Sequence, residues 1–576
     1  MKPQIEQLDD IPVIFRMIKK MKVIEAMDNI FIPHKNWTGI TVGELTSIWL
    51  CFLISTQDHR LSYFVEWARP RMQTICSLLS KEATVYDFSD DKLELLLGYF
   101  SESNQWNSFE TIIDHEVIRV FNLETEVLRG DATIGKSFAR ILKDGLFQYG
   151  NSKHFRKDLA QFKTMLCTLD PLGYPLSNLT VSGNSADDPL YIPVIGQAME
   201  RLPSTGSLFV GDCKLGSLAT RAFIHENEHY YLCPLSGVQL KSGELEVYIN
   251  NIKSEGIELQ KVWKDGKVIA KGYCTIKPHW YTNSNGELIS WSEKRHIVRS
   301  YAYARTQIEA LVKRMDKCFA DLLGLNVKKQ GKKTFSNISE LELECKRIVK
   351  HYKMTDIINF EIKKEVTIKQ IRAWKDRPAR EETQTDYIVA AVKDENKIIQ
   401  KKKLFGWRVY GTNNTSDDMT VEKAVLLYRK EYIIERRFNY LKNKPLNLLP
   451  LFLRTDKYIV GLINVLLLAL RVISLIEFNV ARNLEKNDKE IAGLYSGNPK
   501  HKTRNPSVTL ILRAFLGIYC VASLNLKETK IEYDITTLNS LQKRLLRLLD
   551  MPYEVYAKFI KTVDYNQNNI ILKIKT

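Results

Sequence analysis

The chain lacks most of the features that would set it apart from an ordinary globular protein. Its longest apolar run, YIVGLINVLLLAL (458–470), is closed by Arg471. That is short of the ~18 residues a membrane span needs, so it reads as a buried helix. The opening residues, MKPQIEQLDD, hold no apolar segment, and no signal peptide is expected. There is no low-complexity tract, no collagen or heptad pattern and no internal repeat, which excludes fibrous and solenoid classes. No C-x-x-C occurs among Cys51, Cys76, Cys167, Cys213, Cys233, Cys274, Cys318, Cys345 and Cys520. These nine are odd in number, scattered, and mostly set in apolar runs such as LCFLIS and YCVAS. They read as buried thiols of a reducing compartment, not as disulfides or zinc ligands.

Acidic residues are in short supply: 67 Asp and Glu stand against 84 Lys and Arg, a net charge of +17. The excess is spread along the chain. Diffuse positive charge suits a partner with a long negative backbone, such as DNA; plain solubility is the competing reading. With 576 residues, 44% hydrophobic and 26% charged, the chain has room for several domains of about 100–200 residues.

Apolar residues at helical spacing in IPVIFRMIKKMKVIEAMDNI and TVGELTSIWLCFLIST predict a helical domain over 1–120. Ser89, Asp90 and Asp91 give N-cap chemistry to a further helix there. The texture then changes. TEVLRGDATIG, QFKTMLCTLD and PLSNLTVS read as three strands of an antiparallel meander, followed by the helix PLYIPVIGQAMERL, the strand SLFVGD, the helix KLGSLATRAFIH and the strand HYYLCPL. That order is the order of a ribonuclease-H-like α/β core, here 121–236. Residues 237–403 break the pattern and read as an insertion: β-hairpins from GELEVYINN to HWYTN, a long helix from IVRSYAYARTQ, the basic loop KKQGKKTFSN and the possible strand INFEIKKEVTIKQIRAW. The core resumes over 404–480 with the strand KLFGWRVYGTN and a helix spanning 422–442. Residues 481–576 are expected to be helical.

One match to a metal motif must be weighed. HENEH (225–229) fits H-E-x-x-H, the zinc-peptidase pattern, with His225, Glu226 and His229. That chemistry needs both histidines on one helix face. Here His225 closes a predicted helix, Asn227 is a stop, and His229 begins a strand, so a zinc metallopeptidase is only a remote alternative.

Carboxylates have a better meeting place. Asp131 lies in the first core strand and Asp212 ends the fourth, and these strands are neighbours in such a sheet. Two carboxylates there suit Mg²⁺, which takes oxygen ligands. A third is available from the 422–442 helix. Tyr428, Glu435 and Lys442 are spaced by seven and fall within about 20° of each other per step. Leu427, Ile434, Phe438 and Leu441 form the core-facing stripe, and Arg429 and Arg436 flank Glu435 on the other side. An ordinary amphipathic helix would look the same.

These residues resemble a known family. YRKEYIIERRFNYLK resembles the Y-(2)-R-(3)-E-(6)-K signature of insertion-sequence DDE transposases. LRGDATIG resembles the family's first-Asp strand, LFVGDCKLGS its second-Asp segment, and SGNSADD the G-N-x-x-D loop between them. The β-rich insertion before the final Glu is also typical, and in the family it touches DNA. LDDIPVIFRMI, TVGELT and DFSDDKLE resemble the leader domain of one branch. Two positions depart from the pattern: Glu431 stands in the signature's Arg place, and Ala132 follows Asp131.

The resemblance implies a ribonuclease-H-like transposase that binds the inverted-repeat ends of its element and performs Mg²⁺-dependent cleavage and strand transfer of the cut-and-paste type. Asp131, Asp212 and Glu435 would hold two Mg²⁺ ions, with Mn²⁺ able to substitute. Tyr428, Arg429, Arg436, Lys442 and Lys214 would contact DNA, and Trp263, Trp280 or Trp291 would stack on a flipped base unless it is a core residue. It further implies double-stranded terminal repeats and target DNA as partners, a homodimer on paired ends, no membrane, and a place in the bacterial cytoplasm at the nucleoid. Because of Glu431, a catalytically inactive, transposase-derived DNA-binding protein is the alternative.

Overall fold

The structure, a computed structural model, describes residues 4–150, 158–327, 335, 337–373, 378–487, 489–525 and 530–564. It contains two compact units. The first comprises Met1–Cys233, Trp280–Trp291 and Leu427–Thr576; the second comprises Pro234–His279 and Ser292–Leu426.

The first unit begins with a short strand, β1 (Gln4–Gln7), and a run of helices from Ile11–Lys20 to Ser103–Phe121. Local chemistry sets where these helices start. Thr41 accepts the Glu44 N–H while the Glu44 carboxylate accepts the Thr41 N–H, a reciprocal cap for Val42–Thr56. Ser89 caps Asp90–Phe100 through the Lys92 N–H, as its position in the sequence predicts. Five strands follow: β2 (Val127–Ser137), β3 (Ala160–Leu169), β4 (Tyr174–Ser182), β5 (Leu208–Gly211) and β6 (Tyr230–Leu235). Their order in this unit is β4-β3-β2-β5-β6. The pairs β2–β3 and β3–β4 are antiparallel, whereas β2–β5 and β5–β6 are parallel. Parallel neighbours need a crossover, and the helices Tyr191–Arg201 and Leu218–Glu226 supply it. This is the ribonuclease-H-like α/β arrangement. Every residue of β3 is buried, as a strand inside such a sheet must be.

The apolar run at 458–470 is the middle of a helix, Asp456–Lys486, of 31 residues. It is long and apolar enough to cross a membrane, yet 94% of its most apolar stretch is buried inside the protein. It therefore serves as the core of the first unit. Its Arg471 is buried with three charged side chains of neighbouring helices, Glu110, Asp114 and Arg201, all almost inaccessible to solvent. Arg201 lies 3.1 Å from Glu110 and 3.3 Å from Asp114, and Arg471 lies 2.7 Å and 3.5 Å from the same two acids. The Tyr174 hydroxyl donates to Asp114 at 2.6 Å, and the Asn178 amide donates to Glu110 at 3.1 Å. Burial pushes the Asp114 carboxyl up to about 6 against the pull of Arg471 and Arg201. Burial also acts on Glu110, but there the two guanidiniums prevail and hold it below its ordinary value.

The expectation of a helical 481–576 is corrected. Helices occur at Val508–Arg513, Ser540–Leu548 and Glu554–Ala557. The first unit also holds a second, antiparallel sheet, whose further strands are given below after those of the second unit. Its central strand pairs Gln4 with Ala522, from opposite ends of the chain. Local periodicity carries no trace of such a pairing.

The second unit contains β7 (Gln260–Lys264), β8 (Lys267–Thr282), β9 (Leu288–Ser300), β10 (Ile358–Ile371), β11 (Arg380–Lys393) and β12 (Trp407–Thr412), the ends of β8 and β9 at 280–291 belonging to the first. β12, β9, β8 and β7 follow one another in that order, and β10 pairs with β11 over fourteen residues. Its apolar core is separate: Leu311, Met315, Cys318 and Leu322 of the helix Tyr301–Gly324 pack with Leu341, Cys345 and Ile348 of Ile338–His351 and with Ile358 and Val389. One hairpin expectation fails here. Glu244–Ser254 is a helix. EVYIN alternates like a strand, but Glu244 and Tyr248, one helical turn apart, both receive the Arg295 guanidinium, at 2.8 and 2.9 Å. Residues 328–334 and 336, in the predicted basic loop, lie outside the described residues. The remaining strands of the first unit are β13 (Tyr519–Asn525), β14 (Lys530–Ile535) and β15 (Lys561–Asp564), which give the order β1-β13-β14-β15. All nine cysteines are free thiols, six of them buried and Cys274 exposed.

Replacing Arg471 by Ala leaves two buried acids facing one guanidinium. Breaking a buried pair from one side costs about 3–5 kcal/mol. Urea denaturation of Arg471→Ala should show a loss of that size, and a loss below about 1 kcal/mol would mean that the four charges are not coupled.

Candidate active site

β2 and β5 pair side by side until Gly130 meets Gly211. The next residues are Asp131 and Asp212, so two carboxylates leave neighbouring strands where their parallel pairing ends. They line one small pocket of about 10 Å³, room for little more than a water. Tyr428, Glu431 and Ile434 line it from the opposite side.

Asp212 is held firmly. The Tyr191 hydroxyl and the Lys214 N–H both donate to its Oδ1, each at 2.8 Å. Tyr191 is 1% exposed. Burial, then the charges of Asp212 and Asp131, push its pKa well above the usual phenol value, so it remains a fixed neutral donor. Gly130 makes this approach possible, because a Cβ there would stand 3.2 Å from the Tyr191 ring. Tyr191 is absent from the sequence candidates: within PLYIPVIGQ an aromatic residue reads as core. The Oδ1 of Asp131 accepts the Ala132 N–H at 2.8 Å.

The predicted continuous helix over 422–442 is interrupted. It runs as Val421–Tyr428, a 3₁₀ turn Arg429–Glu431, and Tyr432–Lys442. Arg129 accounts for the break. It is buried and ion-paired with Asp170 at 2.8 Å, and its guanidinium donates to the Leu427 carbonyl at 2.6 Å. In an unbroken helix that carbonyl would accept the Glu431 N–H, and a side chain inserted into the ladder distorts it. The structure thus brings Glu431 to the pocket with Asp131 and Asp212. Glu435, one turn further on, is exposed and does not line the pocket. Of the predicted apolar stripe, Ile434, Phe438 and Leu441 are buried, whereas Leu427, before the 3₁₀ turn, is only half-buried.

Lys442, at the far end of the same helix, donates to the Thr133 hydroxyl at 2.7 Å. Thr133 and Asp131 are two apart on β2 and share a face. Burial lowers the Lys442 pKa while the Asp131 charge opposes it. Arg436 is part-exposed but engaged: it pairs with Glu477 of the long core helix at 2.8 Å and donates to the Tyr440 hydroxyl. Buried Arg437 reaches the same Glu477 at 2.9 Å, so two guanidiniums fasten Tyr432–Lys442 to the core. Tyr428 and Arg429 are half-buried beside the 3₁₀ turn. Lys214 pairs with Asp188 at 3.1 Å near the surface. Trp263 and Trp280 are 49% and 65% exposed, whereas Trp291 is buried and donates to the Tyr231 hydroxyl at 2.9 Å. Trp291 is a packing residue and is not presented to a base.

The oxygen-only donor set fits Mg²⁺ or Mn²⁺ in kind. The carboxylates share a pocket but are not gathered: among the described residues no three His, Cys, Asp or Glu side chains stand close enough together to hold one ion.

HENEH does not make a zinc site. His225 lies in the last turn of Leu218–Glu226, and Glu228 adopts a left-handed φ of 59° that ends the helix. His229 then precedes β6, buried, with Nδ1 accepting the Ser207 N–H at 3.2 Å. The chain turns between the two rings, so they share no helix face.

Fold and site together define a ribonuclease-H-like protein with an acidic pocket where its parallel strands end. No protein-family model and no curated protein sequence matches the chain. Among solved structures it is similar to a piggyBac transposase synaptic complex with hairpin DNA, at 10% identity and a TM-score of 0.35, over 100% of this chain and 92% of that one.

The double variant His225→Ala, His229→Ala should show no change in metal content, because the purified protein should hold no stoichiometric zinc. Elemental analysis of both proteins checks this; one tightly bound zinc per chain, lost in the variant, would restore the peptidase reading.

Proposed function

We propose that this chain is a DNA transposase that cleaves at its element's inverted-repeat ends and transfers the strands to target DNA. The observation that supports this reading most directly is the placement of Asp131 and Asp212 on adjacent parallel strands of a ribonuclease-H-like sheet, under a helix that presents carboxylates. The net charge of +17 agrees with a polyanionic partner.

Asp131 and Asp212 would hold the ions, joined by a carboxylate of Tyr432–Lys442 or its preceding turn. The sequence signature nominates Glu435; the pocket lining nominates Glu431. Bound Mg²⁺ supplies charge stabilisation to the attacking and leaving oxygens of an in-line displacement. The protein's own residues do the rest. Tyr191 fixes the Asp212 carboxylate through Oδ1. Arg129 fixes the 3₁₀ turn. Lys442, beside Thr133, puts a positive charge where a phosphate would approach Asp131. Lys214, Tyr428 and Arg429 are the nearby groups for DNA, and exposed Trp263 and Trp280 are the candidates for base stacking. Joining two ends would call for a dimer, and the proposed location is the nucleoid of a bacterial cell.

A DNA-binding derivative without cleavage is the second reading, favoured by Glu431 in the place of the signature's arginine and by the outward position of Glu435.

With Mg²⁺ and the element's own ends, Asp131→Asn and Asp212→Asn should lower cleavage by orders of magnitude and leave end binding at low salt intact. Glu431→Gln and Glu435→Gln separate the two nominations, since the one that joins the ions should match the Asp variants. Cleavage near wild type in both Asp variants sinks the assignment. End binding by a wild type that never cleaves would establish the second reading.

Tyr191→Phe removes one donor from Asp212 without opening a large cavity. The Mg²⁺ concentration for half-maximal cleavage should rise several-fold, with the circular dichroism melt close to wild type. An unchanged metal dependence would mean that Tyr191 is only a packing residue.

A further inference from the structure

The ends of the chain build a second charged surface within the first unit, which shares no residue with the acidic pocket. Arg16, Lys19 and Lys20 lie on one face of Ile11–Lys20, at the i, i+3 and i+4 positions, while the rest of that helix is buried. Lys543 and Arg547, also i and i+4, are the exposed residues of one face of Ser540–Leu548. Lys20 Nζ donates to the carbonyl of Asp550, just past the end of that second helix, at 3.1 Å. Next to it opens a recess of about 410 Å³ lined by Lys543, Leu546, Arg547, Met551 and Tyr553. Lys558 extends the patch, with its ammonium over the Phe15 and Phe559 rings.

Six cations thus face two acids in this segment, Asp550 and Glu554. Asp550 is already engaged, accepting from Asn483 at 3.0 Å and lying 3.9 Å from Arg482. Among the described residues no carboxylate lies within ion-pair distance of Arg16, Lys19, Lys543, Arg547 or Lys558. The crowding is felt: although Lys558 is exposed as a residue, burial of its amine and then Lys19 and Arg16 bring its pKa down to about 8. Uncompensated like charges held together by two helices are destabilising alone and become favourable when an anion spans them.

We infer that this surface, Arg16, Lys19, Lys20 and Lys558 with the Lys543–Arg547–Tyr553 recess, binds the phosphate backbone of nucleic acid without regard to sequence. A nucleic acid fits better than a lipid surface. Membrane docking needs exposed apolar anchors, and the recess keeps Leu546 and Met551 buried at 2% and 4% exposure. The one large apolar side chain it presents outward is Tyr553, 43% exposed, a ring suited to a sugar or base beside the phosphates. The choice of partner rests on the proposed DNA function; the surface itself does not.

The test uses the full-length protein and a random-sequence DNA duplex, titrated at several salt concentrations. Lys19→Ala, Lys543→Ala, Arg547→Ala should weaken binding about tenfold or more at moderate salt and reduce the log–log salt slope by about 2 to 3, near 0.9 per lost contact. A control removes three lysines that already face a carboxylate, Lys81, Lys92 and Lys457, and should leave the slope as it was. If the triple variant unfolds, Lys543→Gln, Arg547→Gln on the exposed helix face should still lower the slope by about 1 to 2. Binding and slope equal to wild type in a folded variant overturn the inference while the transposase reading stands. A wild type that binds no DNA overturns both. Binding to phosphatidylserine vesicles in place of DNA, lost in the triple variant, would assign the surface to a membrane and overturn the nucleic-acid choice.

Discussion

Everything in the first unit is arranged around one costly feature: two acids and two guanidiniums buried together beside the long helix Asp456–Lys486. Glu110 and Asp114 come from the last N-terminal helix, Arg201 from the crossover helix before β5, and Arg471 from the middle of the core helix. Each charge is tolerable only when the other three are in place. The cluster therefore admits one mutual placement of these helices, and β4 is included through Tyr174 and Asn178. An apolar core of the same size would bury them as well, but would allow them to slide.

The candidate site inherits its geometry from that constraint by two further polar links. Glu477, on the same core helix, receives Arg436 and Arg437 and so fixes the helix that carries Glu435 and Lys442. Arg129, one strand position away from Gly130, takes the Leu427 carbonyl and forces a 3₁₀ turn. That turn decides which carboxylate meets Asp131 and Asp212. On an ideal helix Glu431 and Glu435 differ by only about 40°, so a local change in winding is enough to choose between them. The residues that set the site are thus mostly not the residues that would do chemistry.

The charge of the chain also takes on a shape in three dimensions. In the sequence the excess of lysine and arginine is diffuse. In the structure part of it is spent internally, as Arg129, Arg201, Arg437 and Arg471 show, and part is concentrated on Ile11–Lys20, Ser540–Leu548 and the segment around Lys558. The same residue type is a structural bolt in one place and an unsatisfied cation in another, and burial separates the two.

Local pattern determined much of this protein. Alternation and turn residues delimited β2 to β6 closely, and their order with the intervening helices was enough to give a ribonuclease-H-like core, because crossover rules leave few alternatives. The stop after His225 was legible from Asn227 and the aromatic strand that follows, so HENEH could be set aside. The pairing of Asp131 with Asp212 was legible for the same topological reason. Other features had no local signal. Tyr519–Asn525 pairs on one side with the adjacent β14, but on the other with β1 from the opposite end of the chain, a pairing no local pattern records. EVYIN is equally regular as helix and strand until Arg295 selects the helix. Tyr191 looks like any core aromatic until the sheet brings Asp212 to its hydroxyl, and Arg436 looks like a surface cation until Glu477 meets it. Sequence by itself determines the periodicities and the element order; only the tertiary structure decides which polar groups share a buried space, since that depends on contacts between residues tens to hundreds of positions apart.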